Sequence, residues 1–196
     1  MRKSRSSVPE IPTFEQISAE RERMKYKSRY SKTFRSTVAV LVVVAAAAVL
    51  LATLLMPVLR IYGSSMVPTL EDGQIVVSLK TSKLETGDIV AFYHGNKLLV
   101  KRYIAGPSDW VNIDENGNIY VNNELVDEPY IAQKAKGETN IELPYQVPEG
   151  KYFFVGDNRK VSIDSRNTAV GCIEKDQVVG KIVFCVWPLK DFKEIK

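Results

Sequence analysis

The sequence predicts a mainly β protein, in which one N-terminal transmembrane α-helix precedes a compact antiparallel β-sheet or barrel-like domain. Two observations lead to this prediction. Residues 36–59 contain no charged side chain, and beyond Tyr62 the chain consists of short segments rich in β-branched residues, separated by turn sequences. A chain of 196 residues is long enough for one domain with a hydrophobic core in addition to such a helix.

The uncharged segment 36–59 has the length of a membrane span. At about 1.5 Å per residue, a helix of this length extends roughly 36 Å, which exceeds the roughly 30 Å of a hydrocarbon core. A helix in a soluble core seldom stays apolar on every side for so long. A cleaved secretory signal usually has a shorter apolar region nearer the start. We therefore predict a retained transmembrane anchor, with the lipid bilayer as a partner.

Charge is distributed unevenly along the chain. Residues 1–35 contain ten Lys or Arg and four Glu, whereas residues 60–196 contain 17 basic and 19 acidic residues. Because cytoplasmic flanks of membrane spans are enriched in Lys and Arg, we expect a single-pass cell-membrane protein with a basic cytoplasmic tail at 1–35 and an extracytoplasmic β domain at 60–196. The acidic balance of that domain argues against a nucleic-acid partner. Residues 14–35 fit either a charged helix or an unstructured tail.

Seven segments of the domain have the pattern of β-strands. They are rich in β-branched and aromatic residues and are bounded by turn-forming residues. The segments are 74–79, 88–93, 97–104, 110–113, 119–121, 151–155 and 180–186. Residues 123–146 are polar and irregular and are expected at the surface. Cys172 and Cys185 lie in the exported part, where a disulfide is permitted, and two buried free thiols fit the spacing equally well.

The residue content excludes several kinds of active site. The single histidine, His94, lies in a predicted turn, where a solvated side chain is the ordinary finding. His, Cys and carboxylate residues do not cluster at metal-ligand spacing, and no glycine-rich phosphate loop follows a strand, so neither a metal nor a cofactor is expected. A hydrolase would need a nucleophile and a base other than a Ser–His pair or a zinc-bound water.

Three segments contain candidate groups, and each also has an ordinary structural explanation. Gly63-Ser64-Ser65 taken alone is typical of a linker. Lys101 shares a strand face with apolar Leu99, where desolvation lowers a lysine pKa and yields an amine able to act as a base; the alternative is an edge lysine that reaches water. Residues 156–166 are dense in short polar side chains, which form either a surface loop or a rigid support for the lysine.

Four segments occur in the order found in one enzyme family. They are Ser65-Met66-Val67-Pro68-Thr69, residues 87–92 (GDIVAF), the Lys101-Arg102 pair before a Gly-Pro-x-Asp turn, and residues 156–166 (GDNRKVSIDSR). Together with the apolar span, they closely resemble the type I signal peptidases, which are Ser–Lys dyad peptidases. The resemblance extends from about residue 30 to the end, and the compact size with one span is similar to the enzymes of Gram-positive bacteria.

The resemblance implies a role for several residues. Ser65 would be the nucleophile and Lys101 the general base, with the backbone N–H of Ser65 helping to stabilise the oxyanion. Four residues would support them: Ser162 by a hydrogen bond to Lys101, Asp164 and Arg166 as an ion pair, and Met66 as part of the substrate groove. Substrates would be pre-proteins whose N-terminal signal peptide ends in small residues such as A-x-A.

The chain departs from the family pattern at four places without losing a proposed catalytic group. Val161 stands where Asn is common, Ala105-Gly106 where Gly-Leu is common, Ser108 where Gly is usual, and Gly63 where some relatives have a hydroxyl. Two other classes of function remain to be distinguished. A non-catalytic, membrane-anchored assembly or chaperone-like protein of this fold would be expected to lack the nucleophile or the base. A self-cleaving Ser–Lys repressor would need a DNA-binding domain in place of the span.

Overall fold

The computed structural model of the chain describes residues 13–80 and 83–195. The chain divides into two units after Leu51. The first unit consists of most of one long helix, α1 (Phe14–Leu55). Among the described residues, α1 is the one helix that is long and apolar enough to cross a membrane.

The ends of α1 refine the sequence prediction. The helix begins at Phe14, so the helical alternative for residues 14–35 is the correct one, while residues 1–12 of the predicted tail lie outside the described residues. The helix ends at Leu55, and Val58–Arg60 is a β-strand. This corrects the predicted boundary at residue 59. The physical reason is Pro57, which has no N–H to donate and disfavours helical backbone at the residue before it.

Within residues 13–80 and 83–195, twelve strands follow α1 and form two antiparallel sheets. In chain order they are β1 (Val58–Arg60), β2 (Ile75–Leu79), β3 (Ile89–His94), β4 (Lys97–Ala105), β5 (Trp110–Ile113), β6 (Ile119–Val121), β7 (Glu124–Leu125), β8 (Tyr145–Gln146), β9 (Lys151–Val155), β10 (Ile173–Glu174), β11 (Val178–Trp187) and β12 (Lys193–Glu194). Two short 3-10 helices lie at Lys175–Gln177 and Leu189–Asp191. The large sheet has the order β1-β2-β11-β3-β4-β9-β10, with β12 paired to β11, and the small sheet has the order β7-β6-β5-β8.

This architecture confirms the predicted fold class of antiparallel β structure behind one apolar helix. The seven predicted strands correspond to β2–β6, β9 and β11. Five strands were not predicted, namely β1, β7, β8, β10 and β12. Each of these has only two or three residues, which is too short for an alternating pattern to be recognised. Strand β6 is equally short, but the turn sequence at 114–118 indicates that it pairs with β5 in a hairpin.

Buried apolar side chains fix the segments that carry the candidate residues. Met66 and Leu70, which follow Ser65, pack in a core cluster with Ile89 of β3 and Ile182 of β11. Cys185 belongs to the same cluster, whereas Cys172 packs against a different one, between β4, β9 and the small sheet. Both cysteines are free thiols, as in the second alternative, but only Cys185 is buried, whereas Cys172 is half-buried.

Strand β4 is only partly covered by its neighbours. On one side, β3 pairs with residues 97–102. On the other side, β9 pairs only with residues between Arg102 and Ala105. In the described parts of the chain, residues 97–101 therefore have no strand neighbour on the β9 side. Strand β1, the end of the same sheet, also has a free edge.

Candidate active site

Ser65 and Lys101, which are 36 residues apart, meet in the folded domain. Lys101 lies on β4 opposite Val90 of β3, and Ser65 lies in the turn after β1. The distance between Lys101 Nζ and Ser65 Oγ is 2.6 Å, which is a short hydrogen bond. Lys101 is only 4% exposed, so its amine does not reach bulk water. The structure thus contradicts both ordinary explanations, the flexible linker and the solvated edge lysine.

Burial lowers the pKa of the Lys101 amine from its ordinary value of 10.5, because the charged form loses solvation. Among the charges nearby, Asp164 raises this pKa, Arg166 lowers it, and Asp157 raises it. Both carboxylates are already paired with an arginine, which weakens their field at the lysine. Desolvation therefore dominates, and the direction of the shift is downward.

The described part of the domain contains three buried arginine–carboxylate pairs, and two of them contribute charges that act on Lys101. They are Arg102–Asp157, Arg159–Glu128 and Arg166–Asp164, and each of the six side chains is at most 1% exposed. Arg102 donates from Nε and Nη2 to the two oxygens of Asp157 at 2.8 and 2.6 Å. Arg166 donates in the same way to Asp164 at 2.8 and 2.8 Å. Such two-point pairs fix the orientation of both partners.

The ion pair of Asp164 and Arg166, which the resemblance implied, is present and braces the loop of residues 156–166. Asp164 accepts a hydrogen bond from the backbone N–H of Gly156 at 2.9 Å. Arg166 donates to the backbone carbonyls of Ser162 and Lys136 at 3.2 and 2.8 Å. The pair therefore closes both ends of the loop on itself and ties the loop to a distant segment of the chain.

The predicted hydrogen bond from Ser162 to Lys101 is not made. The Ser162 Oγ is buried and has no hydrogen-bond partner among the described residues. The hydroxyl instead lies against the backbone of Gly156, where an added Cβ would clash with it. Ser162 thus contacts the loop backbone.

The same loop holds the backbone of the Ser65 segment, a role that sequence reasoning missed. The backbone N–H of Asn158 donates to the carbonyl of Ser65 at 3.0 Å, and its side-chain amide donates to the carbonyl of Ser64 at 3.1 Å. Gly156 permits this approach, because a Cβ there would lie 2.7 Å from the Ser65 carbonyl oxygen. The loop therefore positions the serine more directly than it positions the lysine.

A cavity of about 570 Å³ opens at the Ser65–Lys101 pair. Its walls are residues 58–63, Ser65, Met66 and residues 97–101, which include β1 and the uncovered part of β4. Met66, predicted to line a groove, does so while also being 2% exposed and packed in the core. Two free strand edges thus border one cavity, beside a pair of side chains with nucleophile and base chemistry.

Several supporting residues were not predicted. Arg102 and Asp157 lie within the segments that carry the resemblance. Arg102 directly follows Lys101, and Asp157 belongs to the sequence GDNR at 156–159, so both could have been selected as candidate supporting residues. The guanidinium of Arg102 also stacks on Tyr130, at 3.5 Å from the ring centroid. Glu128 and Tyr130 come from the segment expected at the surface, although Glu128 is buried. Nothing in the local sequence distinguishes that glutamate from an exposed one.

Comparison with known proteins gives a consistent result. Residues 34–187 match the family described as signal peptidase, peptidase S26. The chain is 43% identical over 154 residues to signal peptidase IB of Staphylococcus aureus strain COL, covering 68% of this chain and 78% of that protein. It is 33% identical over 185 residues to signal peptidase I of Bacillus amyloliquefaciens, covering 88% and 95%. A crystal structure of a signal peptidase I from Enterococcus faecalis V583 has 31% identity and a TM-score of 0.43, covering 50% of this chain and 96% of that one.

Proposed function

The chain belongs to the signal peptidase family, peptidase S26, and is accordingly a serine peptidase that removes signal peptides; we propose that it does so with Ser65 as nucleophile and Lys101 as general base. The observation that carries this proposal is the 2.6 Å distance between the hydroxyl and a buried amine. A non-catalytic assembly protein is disfavoured, because it would have no use for such a pair.

In the proposed reaction, Ser65 Oγ attacks the carbonyl carbon of the scissile bond while its proton passes to the neutral Lys101 amine. The resulting oxyanion is stabilised by the backbone N–H of Ser65. The Lys101 ammonium then donates the proton to the amine of the departing mature protein, leaving an acyl-enzyme on Ser65. Lys101 next removes a proton from a water molecule as the water oxygen attacks the ester carbon. It returns this proton to Ser65 Oγ as the ester C–O bond breaks and the signal peptide leaves.

The lowered pKa of Lys101 suits this role, because only the neutral amine can accept the serine proton. Above the pKa the amine is neutral and competent, whereas below it the ammonium has no lone pair. The cleavage rate should therefore rise as the pH increases through the pKa. A lower pKa leaves a larger fraction of the enzyme active near neutral pH.

The cavity supports binding of the substrate as an extended strand. The free edges of β1 and of residues 97–101 offer backbone donors and acceptors along its walls, so a substrate segment can extend the sheet by main-chain hydrogen bonds. Alternate side chains of a strand point to the same face. Two small residues separated by one arbitrary residue, as in A-x-A, would then both face the apolar wall at the cut.

We further propose that α1 anchors the enzyme in the cell membrane, with the N-terminus cytoplasmic and the catalytic domain extracytoplasmic. The apolar part of α1 provides the span, and the basic residues before it favour the cytoplasm. The benefit is a higher effective concentration, because enzyme and signal peptide are held at the same membrane.

Cleavage of a defined pre-protein tests the proposed function. The full chain, purified in detergent, is expected to cut a pre-protein with Ala at the first and third positions before the cut, and the product mass should identify that bond. The same pre-protein with Phe at the first position should stay intact, because the larger side chain does not fit. Cutting at unrelated bonds, or no loss of cutting in Ser65→Ala, would contradict the proposal.

A further inference from the structure

The cavity beside Ser65 and Lys101 contains two further cations and no acidic side chain. Arg60 of β1 and Lys97 of β4 both line it. Both are exposed, and neither has an ion-pair partner in the part of the chain that the structure describes. The guanidinium of Arg60 lies over the ring of Tyr62, at 5.4 Å from the centroid, which orients the group and leaves its donors open. The wall of the cavity therefore carries positive charge that no acidic side chain of the wall neutralises.

The position of Lys97 along β4 relates this region to a particular part of the substrate. Lys97 precedes Lys101 by four residues on the same strand, so the two side chains share a face and are separated by about 13 Å. A substrate strand beside β4, with its scissile residue at Lys101, would bring its residue four positions away to Lys97. Arg60 lies on the other wall of the cavity.

We propose that Lys97 and Arg60 recognise a carboxylate side chain in the signal peptide, at the fifth residue before the cut. The inference rests on the proposed function. It assigns the groove to the signal peptide because the small residues proposed to face its apolar wall precede the cut, and Leu99 of that wall lies between Lys101 and Lys97 on β4. Substrates with Glu or Asp at this position are preferred to neutral ones, and Lys is disfavoured.

The test compares three pre-proteins that differ only at the fifth residue before the cut, which is Glu, Gln or Lys. The full chain is assayed in uncharged detergent at low ionic strength. Because each exposed charge pair contributes modestly, kcat/KM should fall about two- to five-fold from Glu to Gln and again from Gln to Lys. The differences in kcat/KM between the Glu, Gln and Lys substrates should become smaller in 1 M salt, where the Debye length is about 3 Å. Moving the charges to the fourth residue after the cut, which would lie at Lys97 only if the substrate strand ran in the opposite direction, should remove the preference.

Variant enzymes then identify the residues responsible. The double variant Lys97→Glu, Arg60→Glu should prefer the Lys substrate to the Glu substrate. The double variant Lys97→Gln, Arg60→Gln should cleave the three substrates equally well. Lys175→Glu is the matched control, since Lys175 is an exposed lysine that does not line the cavity, and it should keep the wild-type order. Turnover of the Gln substrate shows that each variant is folded.

Two results would overturn the inference while leaving the proposed function standing. One is equal cleavage of the three substrates. The other is an unchanged order in the Lys97 and Arg60 variants. If the two cations instead bind lipid phosphate, the substrate order will be absent in detergent, and anionic vesicles will bind the wild type more strongly than the double variants. If none of the three pre-proteins is cut, the proposed function itself is wrong.

Discussion

Replacing Lys101 by methionine is expected to reduce kcat/KM about 1,000-fold or more without unfolding the protein. General-base catalysis by a positioned side chain contributes about 10² to 10⁴ in rate, and here it also activates the nucleophile. Methionine matches the length and apolar stem of lysine and removes an amine whose burial is costly. The fold should therefore be kept at a site that is only 4% exposed.

Cleavage of the pre-protein and thermal unfolding of the same sample measure the two effects separately. Lys175→Met serves as the control, because it removes an exposed lysine outside the cavity and should change neither quantity. If Lys101→Met keeps a tenth or more of the wild-type activity, Lys101 is not the base. If it loses activity together with the cooperative unfolding transition, Lys101→Arg gives the second test, since arginine has a similar aliphatic stem but cannot be deprotonated and therefore cannot act as a base.

Replacing Asp157 by alanine should lower the free energy of unfolding by about 3–5 kcal/mol. The guanidinium of Arg102 would stay fully buried without its counter-charge, since Arg102 is 0% exposed and Asp157 accepts two of its hydrogen bonds. The variant would also leave the hydroxyl of Thr69 without the acceptor it now has. Because Arg102 follows Lys101 on β4, cleavage should decline as well.

Chemical denaturation of three variants isolates the pair. Asp157→Ala with Arg102→Leu should be less destabilised than Asp157→Ala alone, because no buried charge is left unpaired. Glu115→Ala breaks an ion pair whose glutamate is 87% exposed and should have little effect. Equal losses for Asp157→Ala and Glu115→Ala would show that burial of the Arg102 pair does not govern the stability of this region.

The sequence was sufficient to predict the class of fold and to select the two side chains, Ser65 and Lys101, that meet beside the cavity, for different physical reasons. Long strands such as β4 have enough residues to display β-branched content and alternation. Ser65 and Lys101 were identified only through the order of several segments, since each alone has a more ordinary explanation. The edge of β4 at residues 97–101 is free because β9 pairs with β4 only from Arg102 to Ala105. The sequence of β4 itself does not indicate where this pairing ends.

The residues that were missed depend on long-range packing. Glu128 pairs with Arg159 across 31 residues of sequence, from a polar segment with no strand pattern of its own. The resemblance implied a hydrogen bond from Ser162 to Lys101. In the described residues, however, the Ser162 hydroxyl lies against Gly156 and has no hydrogen-bond partner. A carboxylate or hydroxyl in a sequence indicates a hydrogen-bonding capacity, and the fold decides which partner uses it.

The protonation of the Lys101 amine tests the central claim most directly. Lysines labelled with ¹³C at Cε can be titrated by NMR in the full chain, with the Lys101 resonance assigned by its loss in Lys101→Met. Burial should make this resonance titrate clearly below 10.5, with the neutral amine present at the pH at which cleavage becomes rapid. A Lys101 resonance that titrates at or above 10.5, in an enzyme that is active near neutral pH, would contradict the mechanism.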